Sequence, residues 1–431
     1  MPATIEGSIK NSFSLPLSEI KKIIKDFHSE MCRGISGKKS SLKMISTYVN
    51  KPTGKERGKF LALDLGGTNF RILEIELKGD GKILPGKEKK FVLAKHHISG
   101  EGRKLFDFIS GCIKKFCSEQ GIKTYEQRKI GFTFSFPVRQ TGIAKGVLLH
   151  WTKDFSASGV VGQDVVRLMN EALIRNGLRN IKIAALVNDT VGTLAAAAYQ
   201  DQDCDVGVII GTGTNACYQG KVKRMIINIE WGGFNKLRRT YYDELLDKSS
   251  NNSGQQMLEK MVSGMYLGEI ARLAIQDLIK KQRIFKGQRN GFNLAKSFKS
   301  EHLSEVETDN SVNLSGINII LKKMGLKSST LQERKTIKVI CHAVSERGAR
   351  ISAAVLAAVI TKIDPALCRR HTVAVDGSVY AKHPGFANHM KSALREIFGK
   401  RTGRLNLVLA KDGSGIGGAI IASLAASGNN Q

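Results

Sequence analysis

Two short segments of this 431-residue chain have the make-up of phosphate cradles. The first is Asp64-Leu65-Gly66-Gly67-Thr68-Asn69. Its glycines let backbone N–H groups approach phosphate oxygens, and Thr68 and Asn69 add side-chain donors. Asp64 can hold a magnesium ion through water, because Mg2+ keeps much of its hydration shell. The same residues would also make an ordinary hairpin turn with a capping aspartate. The second segment, Gly211-Thr212-Gly213-Thr214-Asn215-Ala216, fits G-x-G-x-x-A, and Glu230 stands about 20 residues on, where a dinucleotide fold places its ribose acid. That fold needs a helix beginning at the glycines. Here residues 216–219 read as extended and Gly220 would break a helix, which argues against a dehydrogenase. No Walker sequence is present.

Asn188-Asp189-Thr190 follows an apolar run at 181–187. Asp and Asn are good helix N-caps. A carboxylate at the C-terminal end of a strand is also where α/β proteins gather their chemistry. Trp151-Thr152-Lys153 has few acids nearby, Glu230 lies in Glu230-Trp231-Gly232-Gly233, and Glu259 lies in a helical stretch; each charged group would otherwise be a solvated side chain or half of a surface ion pair. The histidines show no metal-ligand spacing, so no protein-bound zinc is expected.

The elements that must position these residues alternate between strand and helix. A helix is expected at the start, with Leu17, Ile20, Ile23, Ile24 and Phe27 on one face and Ser18 as its cap. Residues 60–65 and 70–77 form a hairpin with Asp64 near its tip. Strands are expected at 129–136, 181–187, 206–210, 216–219, 372–375 and 405–410. Helices are expected at 191–199, 255–279, 330–363 and 417–426. This is an α/β pattern. The two Gly-Thr turns look alike, as if two related halves faced one nucleotide.

Composition allows a folded globular protein, with 42% hydrophobic and 24% charged residues. The net charge of +29 is spread along the chain, with some density at 280–338 and no nucleic-acid module. It implies at most a weak, salt-sensitive association with anionic surfaces. Seven cysteines, with no CxxC pair, read as free thiols in a reducing compartment. Residues 1–10 carry no apolar signal core and the longest apolar run, 351–360, is too short to span a bilayer. A cytoplasmic location is the expectation.

The order of the motifs resembles the hexokinase family from about Ser18 to Ala426. MISTYVNKPTGKERGKFLALDLGGTNFRI (44–72) is similar to its first phosphate segment and GFTFSFPVRQTGIAKGVLLHWTKDF (131–155) to its sugar-binding signature. LVNDTVG (186–192) matches the segment of the catalytic base, 206–218 the second phosphate segment, EWGGF (230–234) the EWGAF motif, and QMLEKMVSGMYLGE (256–269) is close to the family text. Residues 373–384 and 412–419 resemble the adenosine segments.

The resemblance implies a two-lobed actin-like ATPase (ribonuclease H-like) fold with an interlobe cleft. A small lobe at 58–187 would be joined by a returning C-terminal helix at 412–431, and a large lobe would take residues 1–57 and 188–411. The length holds one kinase unit. The implied activity is ATP- and Mg2+-dependent phosphorylation of the 6-hydroxyl of a hexose: glucose first, mannose or fructose as alternatives. The positions carried over for sugar are Ser135, Thr152, Lys153, Asn188, Asp189, Asn215, Glu230 and Glu259, with Asp189 as base and Lys153 as its catalytic partner. Those for the nucleotide phosphates and Mg2+ are Asp64, Gly66, Gly67, Thr68, Asn69, Arg71, Gly211 and Thr212; those around adenosine are Asp376, Gly377, Ser378, Gly413, Ser414 and Gly415. Val138, Asp154, Gly233 for Ala, Ser253 for Pro and Ala381 for Lys depart from the family pattern, the last with a bearing on nucleotide selectivity. The rival within the resemblance is a non-catalytic, sugar-sensing protein bound to a polyanion, against which the retention of Asp189 and Lys153 argues.

Overall fold

The strands of the computed structural model, which describes residues 4–66, 69–152, 155–220, 225–288 and 291–427, form two separate large sheets. In the first, β2 (Arg57–Leu65) is the centre of five. It runs antiparallel to β3 (Asn69–Gly79), which is flanked by β4 (Lys82–Val92), and parallel to β5 (Arg128–Phe134), which is in turn parallel to β8 (Ile181–Val187). Leu61, Ala62, Leu63 and Leu65 are all buried, so β2 is covered on both faces, which is why its sequence is an apolar run rather than an alternation.

The second sheet has six strands in the order β1 (Ile45–Asn50), β11 (Met225–Asn228), β10 (Thr214–Gln219), β9 (Cys204–Ile210), β12 (His371–Asp376), β13 (Leu405–Leu409). β9, β12 and β13 are parallel, and β10 turns back antiparallel on β9. Both sheets thus repeat one scheme, a hairpin followed by parallel strands. A small hairpin, β6 (Val138–Gly142) and β7 (Lys145–Leu148), stands apart. Most remaining helices pack around the 33-residue helix Leu331–Ile363, which opens with a Thr330–Glu333 capping box.

The helix Gly413–Ala426 lies against β2, β5, β8 and the helix Asp189–Gln200. Its approach is at backbone distance: a Cβ on Gly131 would sit 1.8 Å from the carbonyl oxygen of Gly418, and one on Gly417 would sit 1.9 Å from that of Gly192. Nothing larger than glycine fits these contacts. Ala419, Ile420 and Ala422 of this helix complete one buried cluster with Phe60, Ala62, Ile75 and Leu77 of the first sheet.

Three local expectations are corrected. A helix Ile5–Phe13, not expected, precedes the amphipathic helix Leu17–Ile35, which starts at Leu17 with Pro16 in the N-cap position, so Ser18 is inside it and caps nothing. The 255–279 stretch is two helices, Met257–Val262 and Leu267–Lys280, separated where Gly264 N–H bonds the carbonyl of Gly211 at 2.7 Å. The last helix starts at Gly413, not Gly417, because Asp412 takes a left-handed conformation before it. All seven cysteines are free thiols, and no helix among the described residues is long and apolar enough to cross a membrane.

The join between β9 and β12 contains a fully buried imidazole. His371 Nδ1 lies 2.9 Å from Asp205 and Nε2 lies 3.2 Å from Asp364. Burial alone would lower the pKa of His371, but the two carboxylates, Asp205 foremost, outweigh it and raise the value above the ordinary one. A raised value means the stabilisation is full below about pH 6.5 and is lost as pH rises through the folded-state value. Thermal melts at about pH 6 and about pH 9 should therefore show wild type losing more stability than His371→Asn between the two. Equal losses would mean the folded-state pKa of His371 is not raised.

Candidate active site

Several of the candidate side chains sit at the C-terminal ends of the parallel strands. In the first sheet Asp64 pairs with Thr133, Leu65 with Phe134 and Thr133 with Val187. Asp64, Ser135 and Asn188 therefore emerge side by side from one sheet edge. In the second sheet Ile209 is level with Asp376 and Val375 with Leu409, so Gly211, Asp376 and Asp412 emerge together from its corresponding edge. The ends of parallel strands are where α/β proteins bind ligands.

A polar cluster spans the junction. Asn188 is the N-cap of the helix Asp189–Gln200: its Oδ1 accepts from Thr190 N–H at 3.0 Å. Asp189 is the first helical residue and half-buried, and its Oδ1 accepts from the same N–H at 2.8 Å. Asn215 Nδ2 reaches Thr190 Oγ1 at 3.0 Å, Asn228 Oδ1 at 2.8 Å and Glu230 Oε1 at 3.1 Å. Asn228 Nδ2 donates to the same Glu230 oxygen at 2.8 Å. Glu259 Oε2 accepts from the Thr214 N–H at 3.0 Å, and Trp231 Nε1 donates to Thr214 Oγ1 at 2.9 Å. Asn188, Asp189, Asn215, Glu230 and Glu259 are thus brought into one region as carboxylate acceptors beside amide donors, a composition suited to a ring of hydroxyl groups.

Two of the strained backbone positions among the described residues fall here. Glu230 and Gln256 are both in the left-handed region, at φ 56° and 53°. Each costs a non-glycine residue roughly 1–3 kcal/mol, a burden found mainly at functional sites. Gly233 has its own reason: a Cβ there would lie 2.7 Å from the carbonyl oxygen of Ser41, so the alanine of the family motif has no room.

Ser135 and Thr152 come from the other side, Ser135 at the end of β5 and Thr152 in a loop anchored by Trp151 and Phe155, which pack with Phe134 and Phe136. Lys153, Asp154, Gly67 and Thr68 lie outside the described residues.

The first-turn residues behave as a unit. Asp64 Oδ2 accepts from Arg71 Nη2 at 2.8 Å and from Ser414 Oγ at 3.0 Å, and Arg71 also pairs with Asp412. Asn69 opens β3 just before them. Burial, and then the negative charge of Asp412, raise the Asp376 pKa; Asp64 adds to this, while Arg71 and the Gly377 N–H oppose it. Three carboxylates against one guanidinium leave negative charge unmatched, and all the donors are oxygen, which suits Mg2+. The Gly211 turn packs against the Gly377 turn, since a Cβ on Gly211 would lie 3.2 Å from the Cα of Gly377. Gly413, Ser414 and Gly415 form the first turn of their helix, whose N–H groups favour an anion.

Beside Thr212 and Ser378 lies a cavity of about 440 Å³, also lined by Lys296, Lys299, Ser304 and Lys382. Lys382, one place after Ala381, is one of three lysines on this lining. Sequence reasoning missed the lining from 296–304 and missed Asn228; a lone asparagine in Met225–Asn228 was the only signal for the latter.

Sequence profiles described as Hexokinase match residues 7–199 and 205–424. Mouse hexokinase-3 is 39% identical over 434 residues, which are 96% of this chain and 46% of that protein; the chain spans about half the length of this relative. Rice hexokinase-7 is 38% identical over 450 residues, covering 97% of this chain and 96% of that protein. The hexokinase of Schistosoma mansoni, solved with glucose, superposes with a TM-score of 0.86 at 36% identity over 96% of this chain and 97% of its own. The architecture is the two-lobed, actin-like fold of sugar kinases. With both halves of the chain matched in order and the polar cluster falling on the matched motifs, this chain belongs to the hexokinase family.

Proposed function

We propose that the chain transfers the γ-phosphoryl group of ATP to the 6-hydroxyl of a hexose, with glucose as the first choice. The carrying observation is the cluster in which Asn215 and Asn228 hold Glu230, Thr214 holds Glu259, and Asp189 stands at the strand end beside Asn188. The glucose complex of the Schistosoma relative supports the choice of sugar.

In this reading Asn188, Asn215, Glu230 and Glu259 grip the ring hydroxyls, with Ser135 and Thr152 closing from the other lobe. Asp189 takes the proton of the 6-hydroxyl as that oxygen bonds to the γ-phosphorus and the bond to the β–γ bridging oxygen breaks, releasing ADP. The Gly66 and Gly211 turns receive the phosphates, and the three carboxylates around Arg71 would hold Mg2+ through water. The ion, when bound, offsets charge on the phosphates. Arg71 keeps Asp64 in place through their ion pair, and Lys153 is assigned to the transferred group. Closing the lobes excludes water, the competing acceptor.

A coupled ADP-release assay over glucose, mannose, fructose and glucosamine, each with ATP, GTP and pyrophosphate, tests the reading. Turnover with glucose and ATP is expected. Glucose binding without turnover by any donor would instead favour the sugar-sensing alternative.

A further inference from the structure

Buried polar groups in folded proteins find partners, so a place where several lack one points to a missing ion or water. One such place lies behind the cavity wall, near His383. Glu307, in the helix Ser300–Thr308, has a side chain only 7% exposed, and neither carboxylate oxygen makes a well-formed hydrogen bond among the described residues. The buried Ser345 hydroxyl and His383 Nε2 are this carboxylate's polar neighbours, neither in a well-formed bond to it. His342, in Leu331–Ile363, brings Nδ1 to 3.7 Å from Glu307 Oε1. His389, in Pro384–Phe398, meets His342 edge to face, with ring centroids 4.8 Å apart. One potential ligand atom from each of Glu307, His342 and His389 lies within 4.8 Å of the others.

We propose that Glu307, His342 and His389 form a binding site for a transition-metal dication of the zinc class, separate from the Mg2+ that accompanies the nucleotide. Two imidazoles and a carboxylate are a complete protein set for such an ion, with water in the remaining position. Nitrogen donors select it over Mg2+ and Ca2+, which take oxygen.

The surroundings orient each ligand. His383 Nδ1 accepts from Phe386 N–H at 3.2 Å, so its proton is on Nε2, which faces Glu307 Oε2 at 3.4 Å. That leaves Oε1 turned toward His342. Glu346 lies 3.8 Å from His342 Nε2, and its charge there favours the tautomer that keeps the proton on Nε2 and leaves the Nδ1 lone pair for the ion. His342 is half exposed, which gives the ion a way in. The ligands come from three helices that pack on one another, so linear spacing could not reveal them. An ion here would pin those helices together one turn from Ser304 on the cavity wall.

The test is calorimetric titration of chelator-stripped protein with zinc chloride in excess Mg2+. Cys32→Ser and Cys368→Ser are included to remove the exposed thiols. One zinc per chain and a higher melting temperature are expected. Since disturbing even an outer partner of a metal ligand weakens binding about 10–100-fold, His342→Ala and His389→Ala should each lose at least about tenfold in affinity while keeping the wild-type circular dichroism. Cobalt(II) in place of zinc should give ligand-field bands without a thiolate charge-transfer band. Zinc binding unchanged in the His342→Ala/His389→Ala double variant, or no binding tighter than about 0.1 mM, overturns the site.

Discussion

Asp189→Asn is expected to lower turnover at least about a hundredfold while leaving the fold and sugar binding in place, since general-base contributions run about 10²–10⁴-fold. The structure sharpens this experiment. From sequence alone, Asp189 could simply have been the helix cap. The cap is Asn188, and Asp189 is one residue inside the helix. An asparagine at 189 keeps the oxygen that accepts the Thr190 N–H and nearly the same volume. It loses the favourable placement of a negative charge in the first turn, worth roughly 0.3–1 kcal/mol, so the melting temperature should fall only slightly. It also loses the ability to hold a proton. Single-turnover rates alongside calorimetric glucose binding separate these effects: binding retained with turnover lost is the signature of a base. A variant that phosphorylates glucose near the wild-type rate would remove Asp189 from the mechanism.

Asp243→Ala should destabilise the fold by about 3–5 kcal/mol, because it leaves a buried guanidinium unpaired. Arg347 donates from Nη1 and Nη2 to the two oxygens of Asp243 at 2.6 and 2.7 Å, and both side chains are nearly inaccessible. The Arg347 guanidinium also lies over the ring of Phe13, 4.8 Å from its centroid. Burial alone would raise the Asp243 carboxyl, but the charge and hydrogen bonds of Arg347, helped by Thr240, outweigh it and hold the pKa below the ordinary value. A lowered value means this stabilisation is present above about pH 3.9 and is lost as pH falls through the folded-state value. Urea unfolding at neutral pH measures the loss. The paired Asp243→Leu/Arg347→Met variant should recover most of it, because the expense lies in the orphaned charge rather than in the missing attraction. If the single variant unfolds with the wild-type midpoint, the pair is not formed in solution.

What the sequence made legible, and what it hid, follows from the range of each interaction. β2 and the helix Leu17–Ile35 could be read because burial on both faces or on one stripe writes a pattern into neighbouring residues. The strand-end residues Asp64, Asn188 and Gly211 could be read because turn and cap chemistry is local. The break at Ser263–Tyr266 could not, because the signal inside an apolar helical pattern was one glycine, and its reason is a hydrogen bond to Gly211, some fifty residues earlier. Asn228 and the 296–304 wall of the cavity were hidden for the same reason: their partners are remote in sequence. The Arg71–Asp64–Asp412 linkage joins both ends of the chain and is visible only in three dimensions.

The glycine-lined docking of the helix Gly413–Ala426 has a consequence for how the protein is made. Phe60, Ala62, Ile75 and Leu77 are covered by Ala419, Ile420 and Ala422, roughly 350 residues later in the chain. Ribosomes add about 5–20 residues per second, so the hairpin leaves the exit tunnel and waits roughly 20–70 s with one apolar face incompletely covered. Throughout that interval the nascent chain is a ligand for chaperones, and a poor competitor against its own neighbours on a polysome. A message that stalls shortly before codon 413 would release nearly the whole polypeptide, with every strand of both sheets already synthesised, and still deliver an aggregation-prone product.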